Sequence, residues 1–222
     1  MKQITLILIS IFLLLGIKLD AQILAKDPKA QKILDKVSKT TKSYNSIRIK
    51  FSYTIENLQE KASETHSGYA FLKGKRYKLI MAGTTIFSDG KTVWSYLKDA
   101  EEMTISEPGE DDQSIFNPAK LFTIYENGFK YKYLGEEKKN SSTLDVIDIF
   151  PEHPEKKSYS RIRLKIDRKK SQLVSIKSFG KSGNNVTINV TEFTTNVKMT
   201  DKLFVFDKTK YPADLEVVDT RD

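Results

Sequence analysis

The chain contains no cysteine. Disulfides, Cys/His metal centres and thiol nucleophiles are therefore excluded, and so is lipid anchoring through an N-terminal cysteine. Histidine is nearly as scarce, with only His66 and His153, 87 positions apart. A shared histidine metal site would need the fold to bring them together, and no metal is expected. No G-x-S-x-G elbow, P-loop or G-x-G-x-x-G turn occurs; the nearest glycine pair, Gly180 and Gly183, falls in a hairpin-like loop. Adjacent carboxylates such as Glu101-Glu102 and Asp111-Asp112 seldom converge on one substrate from a strand or loop. These gaps point away from an enzyme and imply no cofactor.

Long apolar runs are also absent, with one exception. Ile4 to Ile17 is almost wholly apolar, follows the positive Lys2, and precedes Ala21-Gln22. It is short for a bilayer span and suits the apolar stretch of an export signal. The expected division is a signal peptide over 1–21 and one domain over 22–222. Leu19 at the minus-three position meets the usual small-residue rule only in part. Cleavage there leaves 35 basic and 28 acidic residues, since Lys2, Lys18 and Asp20 depart from totals of 37 and 29. Lysine and glutamate are scattered, which argues against a nucleic-acid footprint. The basic balance suits either a well-solvated surface or contact with anionic membranes or acidic partners.

What is present is mostly alternation. Asp27-Pro28 reads as a cap and first helical residue, and Ala30, Ile33, Leu34, Val37, Thr41 and Tyr44 follow at helical spacing, predicting one amphipathic helix at about 28–43. From Ile47 the period becomes two: Ile47, Ile49, Phe51, Tyr53 and Ile55 alternate with polar neighbours. The pattern recurs through Leu203–Phe206, separated by turn signals such as Asp89-Gly90. About eleven short strands follow, and so many in one domain must curl or split. Asn117-Pro118, then Leu121, Phe122 and Tyr125, predict a short apolar-faced helix at about 118–126, after an acidic Gly-Pro hinge and the apolar Ile115 and Phe116. The dry strand face carries Phe51, Tyr53, Tyr69, Phe71, Tyr77, Met81 and Trp94. Each could be core. A movable cover over an apolar hollow would combine such a face with such a helix.

Three segments together resemble the LolA family of lipoprotein carriers: Gly68-Tyr69-Ala70-Phe71-Leu72-Lys73, then Arg76-Tyr77-Lys78-Leu79, then Ser88 to Tyr96 (SDGKTVWSY). The leading helix, the mid-chain helix and the closing runs around Phe193 to Phe204 and Leu215 to Asp219 resemble the family in order. The resemblance implies an unclosed antiparallel β half-barrel with an N-terminal amphipathic helix and a short helical lid. Its cavity would hold lipoprotein acyl chains at Phe51, Tyr53, Phe71, Tyr77, Leu79, Met81 and Trp94, under lid residues Phe116, Leu121, Phe122 and Tyr125. The family's lid-latching arginine aligns with Gly74 here, so Arg76 is the candidate that stands in for it. The implied setting is the periplasm, as a soluble monomer. An inner-membrane ABC-type lipoprotein-releasing complex would load it, and an outer-membrane acceptor would receive the acylated lipoproteins. The alternative is a sensor or regulatory domain of the same fold that binds lipid or lipoprotein.

Overall fold

A computed structural model describes residues 26–109, 117–121 and 123–221. The expected signal peptide and the lid positions Phe116 and Phe122 lie outside the described residues.

The first element, α1 (Pro28–Lys42), begins where the sequence places it. The Asp27 carboxylate accepts from Lys29 N at 2.8 Å and Ala30 N at 3.1 Å, and Pro28 needs no donor. Ala30, Leu34 and Val37 are buried one turn apart, each larger side chain contributing about 1.5–3 kcal/mol by leaving water. The helix ends at Ser43, whose N–H bonds the carbonyls of Lys39 and Thr40, while the Tyr44 N–H bonds that of Thr41.

Twelve strands form one sheet among the described residues. They are β1 (Ile47–Asn57), β2 (Ala62–Lys73), β3 (Arg76–Met81), β4 (Thr84–Ser88), β5 (Val93–Leu97), β6 (Glu102–Ser106), β7 (Phe129–Lys139), β8 (Ser142–Pro151), β9 (Tyr159–Asp167), β10 (Gln172–Gly180), β11 (Asn184–Thr195) and β12 (Glu216–Asp219). Their order is β12-β6-β5-β4-β3-β2-β1-β11-β10-β9-β8-β7. Two meanders meet at the antiparallel β1–β11 pair, and the end strands β7 and β12 do not pair, so the half-barrel is unclosed. Only β12 runs parallel to its neighbour, β6.

The strand count differs from expectation in three places. Leu203–Phe206 is not a strand; a 3-10 turn, Asp201–Phe204, occupies it. β12 forms at Glu216–Asp219 instead. β4 escapes the period-two reading because Ile86 and Phe87 are adjacent apolar residues, and each has an apolar layer to face.

Topology explains those two layers. The chain leaves β6 near one sheet edge and must reach β7 at the other. The described part of its connection that begins at Asn117 lies on one face of the sheet, the same face that carries α1. There Ile49, Leu79, Ile147, Ile162 and Ile176 build the main core with Leu34, Val37 and Tyr125. After β11 the chain crosses the opposite face to reach β6. Phe204, Met103, Phe87 and Leu215 are buried outside the main core, forming a second, smaller one. Tyr211 stacks on Tyr96 (4.7 Å between centroids) and Phe206 (4.9 Å) beside it. No helix among the described residues is long and apolar enough to cross a membrane.

Candidate functional site

The centre of the concave face holds an apolar hollow. Its floor is cross-strand: Leu79 of β3, Ala70 of β2, Ile49 and Phe51 of β1, Ile188 and Val190 of β11, and Leu173 and Ile176 of β10. Its cover is Pro118 and Leu121. The atom-free space is about 450 Å³ counting its opening to solvent, yet the centre of a water-sized sphere has only about 30 Å³ to occupy. That is room for one or two waters by volume, with no polar group to hold them. The hollow is thus a narrow, dry slot, and a bulky guest requires the cover to move.

The cover is the crossing connection. Asn117 caps a single turn, α2 (Pro118–Leu121), its side chain accepting from Ala119 N at 3.0 Å. The expected helix over 118–126 is two pieces: the chain breaks at Thr123 (φ −129°, ψ 3°) and resumes as a 3-10 turn, Ile124–Glu126. A four-residue turn is below the length at which a helix holds itself, so α2 depends on its apolar contacts with β2 and β3. The second piece is fastened. The Tyr125 hydroxyl donates to the Leu34 carbonyl. Glu126 Oε1 accepts from Ser38 Oγ (2.6 Å) and Lys42 Nζ (2.7 Å). Burial pushes the Tyr125 phenol up to about 12. The Lys42 and Ser38 hydrogen bonds hold the Glu126 carboxyl below its ordinary range.

The expected cavity residues divide. Phe51 and Leu79 line the hollow and Leu121 covers it. Tyr53 and Tyr77 are buried in the same core but do not line the slot, and Met81 packs at the core's border. Tyr53 instead stacks with His66, ring centroids 5.3 Å apart. Tyr125 anchors to α1 rather than covering the hollow.

Phe71 and Trp94 face the other way. In β2 the buried residues are Gly68, Ala70 and Leu72, so Phe71 lies on the convex side, opposite Arg48 and Lys78. Trp94 pairs with Phe87, which pairs with Lys78, in the same convex row. Strand alternation enforces this: Leu79 inward puts Lys78, Phe87 and Trp94 outward.

Arg76 is also convex. It pairs with Asp201 at 2.7 Å and lies 5.9 Å from the Phe204 ring, while Lys73 holds the same carboxylate at 2.8 Å. These two cations lower the pKa of Asp201. Arg76 therefore fastens the C-terminal crossing to the convex face, on the side of the sheet away from the described cover residues Pro118 and Leu121.

Sequence reasoning missed Ile49, Ala70, Pro118, Leu173, Ile176, Ile188 and Val190 as lining residues. Alternation placed several of them on a dry face. Which part of that face lies under the cover depends on the β1–β11 pairing, which joins residues 127 to 148 positions apart.

The fold and the site together define an open β half-barrel with an apolar slot beneath a crossing segment. The chain belongs to the LolA family: the model of the outer membrane lipoprotein carrier protein LolA matches residues 76–207. The shape is similar to the crystal structure of an uncharacterized conserved protein from Thermus thermophilus (15% identity, TM-score 0.58, 86% of this chain and 99% of that one). It is also similar to the lipoprotein LppX of Mycobacterium tuberculosis (13% identity, TM-score 0.50, 79% of this chain and 99% of that one). A LolA superfamily protein from Nitrosomonas europaea matches at 12% identity and TM-score 0.44, over 80% of this chain and 97% of that one. A comparison with curated protein sequences finds no match.

Proposed function

We propose that this protein is a non-enzymatic periplasmic carrier that shields lipoprotein acyl chains in the concave hollow between the inner and outer membranes. The observation that carries this reading is the all-apolar slot beneath a weakly supported cover. An acyl chain gains about 0.8 kcal/mol per buried CH₂, so a long chain needs a shelter worth on the order of 10 kcal/mol. The slot supplies apolar walls from five strands. Among the described residues the cover adds Pro118 and Leu121, few enough contacts for the site to open and let go.

In this reading the segment 1–21 directs export and is removed after Ala21. The mature chain diffuses as a monomer, takes its cargo from an inner-membrane ABC-type complex and passes it to an outer-membrane acceptor. Membership of a family described as lipoprotein carriers supports this assignment.

The test is displacement. The mature protein should bind an environment-sensitive apolar fluorophore, and a triacylated peptide should compete it off. Competition by hydrophilic metabolites alone, or no dye binding at all, overturns the reading. Mass spectrometry of gently purified protein should find acylated species bound.

A further inference from the structure

The outward face of α1 differs from the rest of the charged surface. At 100° per residue, Lys29, Lys32, Lys36 and Lys39 fall in one arc, opposite the arc of Ala30, Leu34 and Val37 that meets the core. All four lysines are exposed. They span ten residue steps, a straight ridge about 15 Å long. Asp35 is the sole carboxylate within the helix.

The β9–β10 turn extends the ridge sideways. Lys29, Lys32, Lys36 and Arg168 surround one open concavity of about 870 Å³, counting its mouth, with Glu136 and Asp145. Arg168 is already engaged with both carboxylates, at 2.6 Å from Glu136 and in a short contact with the buried Asp145. One guanidinium offsets one of those two negative charges and Lys29 also acts on Glu136, so the concavity's four cations exceed its two carboxylates by two. Lys169 and Lys170, next in the turn, are exposed. Among the described residues, Lys32, Lys36, Lys39, Lys169 and Lys170 have no carboxylate partner. On the convex faces of β9 and β10 the basic residues are matched: Arg163 with Asp148 (2.7 Å), Lys165 with Glu137 (2.6 Å) and Lys177 with Glu56 (2.8 Å).

We infer that the α1 ridge and the β9–β10 turn form a docking surface for an anionic lipid membrane. An array of unpaired ammonium groups along a straight helix matches a plane of phosphate headgroups, each lysine adding attraction within a Debye length of the surface. The ridge lies on the same side of the sheet as the cover, and Glu126 ties the cover to the end of this helix. Docking through α1 thus sets the cover beside the bilayer. Docking and acyl binding use different residues, so the two can fail independently.

The experiment is co-sedimentation of the full mature protein with vesicles of phosphatidylglycerol mixed into phosphatidylcholine, against phosphatidylcholine alone. Binding should require phosphatidylglycerol and fall as salt rises. The triple variant Lys32→Glu, Lys36→Glu, Lys39→Glu should lose about tenfold or more in vesicle affinity, and Lys32→Gln, Lys36→Gln, Lys39→Gln should fall between. Fluorophore binding should be unchanged in both. Equal binding to both vesicle types, or a triple variant that binds as well as the parent, overturns the inference. Capture of a polyglutamate peptide without vesicle binding overturns it too, in favour of an acidic protein partner. Loss of fluorophore binding in the parent protein would sink the carrier reading and leave this one standing.

Discussion

At Gly68 the backbone of β2 lies so close to β1 that an added Cβ would sit 2.5 Å from Phe51 Cζ and 2.7 Å from the Ile80 carbonyl oxygen. The first contact is with a ring that can swing; the second is with backbone that cannot. The missing side chain lets the Phe51 ring lie flat against the sheet as part of the hollow's floor. Gly68→Ala should cost about 1–3 kcal/mol by overpacking, and drive Phe51 into the slot. Urea unfolding should register the first effect and a drop in fluorophore affinity the second; unchanged affinity would show that the ring was never part of the floor. Leu79, 3% exposed, has the opposite leverage. Leu79→Ala removes wall from an existing void, so its cost should sit near the lower end of the about 2–5 kcal/mol usual for this change. Fluorophore uptake should persist or rise. A cost at the top of that range with no uptake would mark Leu79 as filled core.

The cover and its fastening were legible in the sequence only as a unit. Asn117-Pro118 and the Leu121/Tyr125 spacing announced a helix, but not its break at Thr123 or the division of labour across it. The α2 turn covers while the Ile124–Glu126 turn anchors, because the second piece meets side chains of α1 nearly 90 positions earlier. Such long-range hydrogen bonds leave no local signature. The anchoring predicts a pH effect. The folded-state pKa of Glu126 lies below its ordinary 4.5, so its stabilising contribution is complete above that ordinary value and is lost as pH falls through the lowered folded value. Fluorophore loading should therefore speed up as pH drops below about 4.5, and Glu126→Gln should flatten that dependence. A parent protein whose loading rate is flat across this window would show that the anchor does not gate entry. Tyr125→Phe removes the hydroxyl bond to the Leu34 carbonyl and should cost about 0.5–1.5 kcal/mol, with faster loading at neutral pH in stopped-flow traces.

Seen whole, the molecule is one sheet with a chain crossing on each face. The alternation of β1 made the concave face readable as far as Tyr53, beyond which Ile55 is 42% exposed and the dry row ends. The convex core was not readable. Phe71, Trp94 and Arg76 look like cavity and latch residues in a linear alignment because the sequence does not say that a second apolar layer exists. In β3 to β6 both faces are covered, so alternation loses its meaning there, and only the pairing register separates Leu79 and Ile86 from Lys78, Phe87 and Trp94. The two cores should be separable in function. Phe204 is fully buried under the C-terminal crossing, and Phe204→Ala should cost about 3–5 kcal/mol. The Asp201 clamp on Lys73 and Arg76 is too exposed to offset such a loss. Because the sheet lies between Phe204 and the hollow, fluorophore affinity measured where the variant is still folded should match the parent. A variant that keeps its fold but loses the fluorophore would mean that the convex crossing shapes the slot through the sheet, and that the two faces act as one site.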